Sequence, residues 1–315
     1  MRNSYISALY DIAKENKQIM SLNADIGAIV FDKFREDFPG RFINVGVAEQ
    51  NMIGVAAGLA SCGKIPFTYT ITPFITSRTY EQIKVDVCLQ NSNVKIVGVG
   101  AGLVYSTLGP THHAIEDIAI MKTLPNMRIV SPCDPIESKM ATFAIAEIKG
   151  PVYFRIGTAG EPNIYDKDYE FTLGKGMEMK QGDDVTLIAT GSIVYDAMMA
   201  AKELDLKGIS TRVINIHTIK PLDKDIILKA AKETGTIITI EEHNIEGGFG
   251  NSVASLILEN IGSQVKFKQL GLKDAFCSCY GTHQELKRHC GIAKEDIVRE
   301  VIHLSKLKII DNNYE

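Results

Sequence analysis

Length, composition and charge exclude several classes of protein. The chain has 315 residues, of which 45% are hydrophobic and 23% charged, as is typical of a globular protein long enough for two domains. A net charge of -4 without a basic block argues against nucleic acid as a partner. No apolar run approaches the ~20 residues that span a bilayer, and the polar N-terminus is unlike a signal sequence. We therefore expect a cytoplasmic protein with no membrane partner.

The cysteines argue against a metal site in this chain. Six are scattered along the sequence, and none belongs to a CxxC pair. Such spacing favours neither a zinc site nor a disulfide framework, so we interpret the cysteines as reduced thiols with structural roles.

Strand-like and helical stretches alternate through the first half of the chain. The predicted strands are 19–26, 42–45, 66–70, 94–100, 128–131 and 152–156, and the predicted helices are 5–15, 49–61, 78–90, 115–122 and 135–147. This alternation predicts a parallel sheet with helices on both faces. Ligands of such sheets bind beyond the carboxyl ends of the strands.

A change of composition separates a second unit from the first. Residues 158–181 are rich in Gly, Pro, Asp and Lys without a clear period, as in an exposed connection. Further predicted strands follow at 185–190, 211–216, 237–241 and 265–269. The predicted fold is α/β with two doubly wound domains, the second being the smaller. Their predicted boundaries are 1–165 and 183–315, with a linker at 166–182.

The stretch from Phe42 to Gly63 carries the most distinctive pattern. A short apolar strand leads through a turn at Gly46 into a helix of small and apolar residues, which predicts a helix packed tightly on all sides. Glu49 begins that helix. A carboxylate there either interacts with the helix N-terminus or is retained for chemistry, since burying it without a partner is costly.

Four segments are expected to meet at one edge of the first sheet, where strands end and helices begin. The candidate groups are Asp25 and Glu49 after the first two strands, Phe74 and Arg78 after the third, and His112 and His113 beyond the fourth. This pattern predicts a site with acidic, basic and aromatic groups.

Structural roles remain open for most of these candidates. Asp25 could cap the next helix, and Phe74 could belong to the core. Arg78 could lie over the surface or pair with Glu81. The tandem histidines could cap a helix, and they are weak evidence for a metal because adjacent residues point in different directions.

Longer motifs carry a specific resemblance. GVAEQNM, GPTHHAIEDIA, LPNMRIVSPCDP and PVYFRIG, in this order, resemble the pyrimidine-binding domain of the transketolase family. DVTLIATGS, HTIKPLD and EEHNIEGGFG resemble the C-terminal domain of the same family. The resemblance covers nearly the whole chain and implies thiamine diphosphate as cofactor.

The resemblance implies that Glu49 hydrogen-bonds the aminopyrimidine ring of the cofactor. Sharing a proton there favours the tautomer that generates the thiazolium ylide. Desolvation favours the neutral carboxyl group, so an acid in an apolar pocket suits this task. The implied reaction is transfer of a two-carbon ketol unit from a ketose phosphate to an aldose.

The resemblance assigns roles to the other candidates as well. Phe74 is similar to the aromatic residue that stacks on the pyrimidine, with Arg78 beside the ring, Asp25 near the cofactor and Val47 in apolar contact with it. His112 resembles the residue that contacts a hydroxyl or carbonyl group of the donor sugar. Arg155 resembles a residue that binds the substrate phosphate, for which a guanidinium fork is suited.

One position departs from the family pattern. Many relatives carry an acidic residue immediately before the GPTH motif, where it reads a substrate hydroxyl, whereas this chain has Leu108. Leucine cannot accept a hydrogen bond, so the donor lacks that hydroxyl, is recognised by another group, or belongs to a different class of sugar.

A second departure concerns the diphosphate. The family holds it through Mg²⁺, a hard cation that prefers oxygen ligands, on a separate domain with a GDG signature. This chain has no GDG, and its nearest string is the GDD at 182–184. The resemblance therefore implies the C-terminal half of a split enzyme, whose N-terminal partner subunit carries the GDG motif and Mg²⁺. Active sites would form between chains in an α2β2 assembly.

Other functions remain as alternatives. Within the cofactor class they are a 1-deoxyxylulose-5-phosphate synthase-like condensation and the β subunit of a 2-oxoacid dehydrogenase. The histidine of the GPTHH segment favours a sugar substrate over the dehydrogenase. A catalytically idle structural or regulatory subunit is a further alternative, and retention of Glu49, Phe74 and His112 argues against it. A general nucleotide-binding protein is disfavoured because no GxGxxG follows the first strand.

Overall fold

The chain forms two α/β units built on separate sheets. A computed structural model describes residues 1–27 and 29–311, with side chains described through residue 304. The strands are β1 Ile19–Asn23, β2 Phe42–Asn44, β3 Ile65–Ile71, β4 Lys95–Val99, β5 Arg128–Val130, β6 Val152–Ile156, β7 Met177–Lys180, β8 Val185–Ala189, β9 Thr211–Asn215, β10 Thr218–Lys220, β11 Thr236–Asn244 and β12 Lys266–Leu272.

Helices cover these sheets. They are α1 Arg2–Glu15, α2 Asp32–Asp37, α3 Glu49–Ser61, α4 Thr72–Thr76, α5 Tyr80–Gln82, α6 Asp117–Lys122, α7 Pro135–Glu147, α8 Val194–Asp205, α9 Lys224–Thr234, α10 Phe249–Asn260, α11 His283–His289 and α12 Lys294–Asp311. In the described ranges, none of them combines the length and the apolar character needed to cross a membrane.

Both sheets are dominated by parallel pairing, which confirms the predicted fold class. The first sheet has the strand order β10-β5-β6-β4-β3-β1-β2, and the second has the order β12-β11-β8-β9-β7. The antiparallel pairs are β10 with β5 and β7 with β9. The carboxyl ends of β1, β3 and β4 are therefore neighbours, as the sequence predicted for the candidate site.

Most predicted elements are confirmed within a few residues, and the helix predicted at 78–90 is the main exception. It divides into α5 and a π-helical segment, Ile83–Cys88. The predicted helices at 49–61 and 135–147 have the expected bounds. Local periodicity cannot report this change of helix type, because both helix types place apolar residues on the buried side.

Two short edge strands lie across the predicted domain boundaries, which remain a prediction. β7 lies inside the predicted linker at 166–182 and pairs with β9. β10 belongs to the predicted second domain at 183–315, yet it pairs with β5 of the first sheet. Three or four residues are too few to show the alternation that identifies a strand. Residues 312–315 of the predicted second domain lie outside the described part of the chain.

The hydrophobic core continues between the two units. One buried cluster joins Met121 and Met127 of the first unit to Ile216 and Ile219 of the second. Another packs Leu103 and Ile115 of the first unit against apolar residues of α8 and α11. The second unit is therefore packed directly against the segment that carries the GPTHH motif.

Candidate active site

Glu49 is buried at the edge of the first sheet. The chain leaves β2, turns at Gly46, whose φ of 71° favours glycine, and enters α3 at Glu49. Glu49 is only 2% exposed, and its Oε2 accepts a hydrogen bond of 2.7 Å from Nη1 of Arg78. Ala48 is the N-cap residue of α3. The carboxylate thus has an ionic partner, which a buried charge requires.

Arg78 links this carboxylate to an aromatic surface. Its guanidinium carbon lies 4.6 Å from the ring centroid of Phe74, while the side chain remains 47% exposed. The side-chain amide of Gln50 donates a 3.2 Å hydrogen bond to the carbonyl oxygen of Arg78. Phe74 is half-buried and is not a core residue. Arg78 therefore pairs with Glu49 and covers the ring of Phe74. The sequence did not predict the pairing with Glu49.

His112 completes the group at this edge. Its ring centroid lies 5.2 Å from that of Phe74, with the planes tilted by 66°, and 6.3 Å from that of Tyr105. Nδ1 of His112 is 2.9 Å from Oγ1 of Thr111. His112 is half-buried, whereas His113 is buried, and burial lowers the pKa of His113 below its usual value. The two histidines therefore occupy different environments, and His112 is the accessible one.

Asp25 and Val47 lie on exposed surface. Asp25 has a φ of 53° and exchanges hydrogen bonds with Asn44, whose Oδ1 accepts from the Asp25 amide at 3.0 Å and whose Nδ2 donates to Asp25 Oδ1 at 3.2 Å. Val47 is 80% exposed. An apolar side chain with that exposure is available for contact with a ligand or another chain.

The surroundings of Arg155 argue against its expected role. The family resemblance assigned it to a substrate phosphate, but its side chain is only 3% exposed and forms a 2.7 Å ion pair with Asp117. Burial alone would lower the pKa of Arg155, and the Asp117 carboxylate outweighs burial and raises it. Further hydrogen bonds join Nη2 to the carbonyl oxygens of Ala114 and Glu242 at 3.0 Å each. Its guanidinium group is thus occupied by partners within the chain.

Three of the six cysteines lie close together in the structure. Cys277 and Cys279 have their sulfur atoms 3.6 Å apart. Cys290 adjoins them, and burial together with a hydrogen bond to Cys277 raises the pKa of Cys290 to about 12. All six cysteines are free thiols in the structure. The raised pKa of Cys290 leaves little of its thiolate at neutral pH.

Several neighbours of the site were missed by sequence reasoning. A Cβ atom on Gly109 would lie 3.0 Å from Cε1 of Tyr280, so this exposed ring of the second unit reaches the GPTHH segment. Ser77 donates a 3.2 Å hydrogen bond to Glu116. Glu242 also reaches this region, because its Oε2 accepts a 3.2 Å hydrogen bond from the amide of Leu103. The signal in the sequence was the pair of adjacent acids at 241–242. Neighbouring strand residues face opposite sides of a sheet, so such a pair directs one acid to each side.

Comparisons with known proteins identify the family. Residues 1–159 match the model of the transketolase pyrimidine binding domain, and residues 174–312 match that of the transketolase C-terminal domain. The chain belongs to the transketolase family. It is a transketolase-type transferase subunit, as the motifs predicted.

Similar proteins cover nearly the same length as this transketolase-family chain. An apulose-4-phosphate transketolase subunit of Phocaeicola vulgatus is 38% identical over 307 residues, covering 97% of each protein. The 6-deoxy-6-sulfo-D-fructose transketolase subunit SqwH of Clostridium sp. is 38% identical over 309 residues, covering 98% of this chain and 95% of that protein. The solved "Split gene transketolase, inactive beta4 tetramer" has 38% identity and a TM-score of 0.89, covering 96% of this chain and 97% of that chain.

Proposed function

We propose that this chain is the C-terminal subunit of a split transketolase that transfers a two-carbon ketol unit from a ketose phosphate to an aldose. The observation that carries the proposal is the buried carboxylate of Glu49 beside Phe74 and Arg78, in a chain that matches both transketolase domains. An idle subunit has no chemical need for a buried acid at this edge.

The arrangement suits the pyrimidine end of thiamine diphosphate. Phe74 offers a half-buried ring face, and Glu49 offers a carboxylate that can share a proton with a ring nitrogen. When bound, the cofactor supplies the nucleophilic carbon that takes up the ketol unit. Because Arg78 is 47% exposed and covers Phe74, we infer that its side chain moves off the ring and releases Glu49 from the ion pair. Glu49 would then be free to share a proton with the ring nitrogen.

Other residues of the chain would contact the cofactor and the donor. Val47 and Asp25 are exposed and would contact the cofactor. His112 beside Phe74 is suited to a sugar hydroxyl or carbonyl group. Leu108 is 50% exposed in the turn Ser106–Leu108 just before the GPTHH motif. Because Arg155 is buried in an ion pair with Asp117, we propose that other groups bind the phosphate of the substrate.

The proposal requires an N-terminal partner with the GDG motif, which would bind the diphosphate through Mg²⁺. Two similar proteins are named as transketolase subunits, and the solved beta chain that resembles this one formed an inactive tetramer. We propose an α2β2 assembly in the cytoplasm, where the six free thiols would remain reduced.

The isolated chain is expected to show no transketolase turnover, because it would hold only one end of the cofactor. Adding the N-terminal subunit, thiamine diphosphate and Mg²⁺ should restore transfer. The measurement is aldose-dependent ketol transfer from a panel of ketose phosphates, with and without the second subunit. Pyruvate with an aldose phosphate forms a further arm, and product from that arm alone would favour the synthase-like condensation. Full turnover by the isolated chain would contradict the requirement for a partner.

The exposed side of α3 suggests how two chains associate. The sequence predicted that this helix is packed on all sides, but Asn51, Gly54, Gly58 and Ser61 form an exposed row along it. Small residues in such a row allow another helix to approach closely. We propose that this row faces a second copy of the chain, in keeping with the beta4 tetramer of the similar solved protein.

Gly58→Gln is expected to shift the isolated chain towards a monomer. A Cβ atom on Gly58 meets nothing within 4 Å in the single chain, and replacing a helical glycine should stabilise α3 by up to about 1 kcal/mol. Only packing against another chain should suffer. Sedimentation velocity over a concentration range measures the effect. Gly40→Gln, at an exposed glycine outside α3 that also has open space around it, is the control. An unchanged assembly in Gly58→Gln would exclude this interface.

A further inference from the structure

The segment that carries His112 is attached to the second unit on both sides of that residue. This segment, residues 101–116, connects β4 to α6. Upstream of His112, the Leu103 amide donates a 3.2 Å hydrogen bond to Oε2 of Glu242. Downstream, the amide of Asn244 donates a 2.8 Å hydrogen bond to the carbonyl oxygen of Ile115. Glu242, the acceptor, and Asn244, the donor, both lie near the end of β11 in the second unit.

Glu242 is the centre of the upstream attachment. It is 3% exposed, and its carboxylate also accepts a 3.0 Å hydrogen bond from Oγ of Ser192 and lies 2.7 Å from Nε2 of His283. The backbone of Gly102 passes so close that a Cβ atom there would lie 2.5 Å from Cβ of Glu242. The glycine, which has a φ of 62°, thus allows the segment to reach this carboxylate.

Arg155 joins the two attachments. Its Nη2 donates to the carbonyl oxygens of both Ala114 and Glu242, and the Ala114 amide donates a 2.8 Å hydrogen bond to the carbonyl oxygen of Gly102. The two ends of the segment are therefore held against each other and against β11. His112 lies between these two ends in the chain.

We propose that Glu242 and His283 are positioning residues, through which the C-terminal domain holds the 101–116 segment and sets the place of His112 beside Phe74. The catalytic part of this inference rests on the proposed function, and the structural part does not. It gives the C-terminal domain a task in a reaction whose candidate groups all belong to the first domain. An Ångström of displacement at a residue that contacts substrate is enough to lower turnover strongly.

The protonation of His283 contributes to this attachment. Burial by itself would lower the pKa of His283, but the charge of Glu242 and the hydrogen bond to it outweigh burial and raise that pKa. A raised pKa means that the stabilising charge pair is complete below the ordinary histidine value of about 6.5 and is lost as pH rises through the raised value. The attachment should therefore loosen at alkaline pH.

Other charged groups around the pair do not replace His283. Lys287 faces Glu242 and His283, but its ammonium group is bound to Asp196 at 2.6 Å. His113 and Cys290 also lie within electrostatic range. Burial lowers the pKa of His113 and raises the pKa of Cys290, so both are uncharged near neutral pH. His283 is then the group whose charge changes next to Glu242.

Glu241 provides a matched control on the same strand. It is 1% exposed and accepts backbone hydrogen bonds of 2.7 and 2.8 Å from Phe249 and Gly250 at the start of α10. Glu241→Gln thus removes an equally buried carboxylate. Its backbone partners belong to α10 and not to the segment that carries His112. A purely structural role for these acids predicts the same behaviour for both Gln variants, whereas a positioning role separates them.

Hydrogen exchange of the chain tests the attachment independently of any activity. Glu242→Gln should speed exchange in peptides covering 101–116 at least tenfold at neutral pH, while Glu241→Gln leaves those peptides unchanged. His283→Gln keeps a hydrogen-bond donor and removes the titration. Because glutamine also lacks the charge, exchange in 101–116 should already be faster than in the wild type at neutral pH, and it should show no further loosening at alkaline pH. Equal protection of 101–116 in Glu242→Gln and Glu241→Gln would overturn the proposal.

Turnover of the two-subunit enzyme tests the consequence for His112. Glu242→Gln should lower kcat by about 10 to 100-fold with a melting temperature close to that of Glu241→Gln, whose kcat should stay within twofold of the wild type. In a pH series, the kcat of the wild type should decline at alkaline pH as His283 loses its charge. His283→Gln should lack this part of the decline. If exchange changes as expected but the wild-type enzyme transfers no ketol unit, the attachment stands and the proposed function fails. Changed exchange with an unchanged kcat would overturn the positioning role.

Discussion

Glu49→Gln is expected to lower ketol transfer by about 10²- to 10⁴-fold in the two-subunit enzyme, the range of general acid-base contributions. Glutamine keeps the shape and the hydrogen-bond acceptor but has no carboxyl proton to share. The ion pair with Arg78 is also lost, and because Arg78 is 47% exposed, water can solvate its charge. Folding should therefore change little. The measurement is kcat at saturating cofactor and donor, with the melting temperature recorded for each variant.

Glu81→Gln is the control for this prediction. Glu81 is an exposed carboxylate in α5, close in sequence to Arg78, and its loss should leave kcat within twofold of the wild type. A Glu49→Gln enzyme that is folded and retains more than a third of wild-type kcat would exclude Glu49 as the proton-sharing acid. The proposed function would then lose its main support.

Arg155→Met is expected to reduce the free energy of unfolding by about 3 to 5 kcal/mol, because breaking a buried ion pair leaves an uncompensated charge. Asp117 would remain 1% exposed with only the Tyr153 hydroxyl, at 2.6 Å, as a hydrogen-bond donor from this cluster. Urea denaturation of the purified chain measures the change. Arg155→Lys keeps the charge and should fall between the wild type and Arg155→Met, which preserves the test if the methionine variant does not fold.

Arg35→Met is the matched control, since Arg35 pairs with Asp32 at the surface, where the two side chains are 54% and 43% exposed. Its removal should cost less than about 1 kcal/mol. The alternative role for Arg155, binding of a substrate phosphate, predicts a different pattern. An Arg155→Met enzyme with normal stability and a KM for the phosphorylated donor raised tenfold or more would contradict the buried role and restore that alternative.

The sequence by itself determined the features that depend on local pattern. The predicted helix at 49–61, the strand at 152–156 and the alternation of strands and helices all follow from the spacing of apolar residues, which depends on the chain within a few turns. Family membership followed from long motifs. The meeting of Glu49, Phe74 and His112 at one edge was also predictable, because residues that follow neighbouring parallel strands must share that edge.

Tertiary structure alone decided which partner each polar side chain has. The motif around Arg155 predicted a ligand-binding arginine. The fold instead places Asp117 and the carbonyl oxygen of Glu242 around it. Arg78 pairs with Glu49 rather than with Glu81, and β10 crosses to the first sheet. Periodicity reports that a side chain is buried, but it does not report what lies opposite. Those contacts join residues far apart in the chain, and only the packing of both units brings them together.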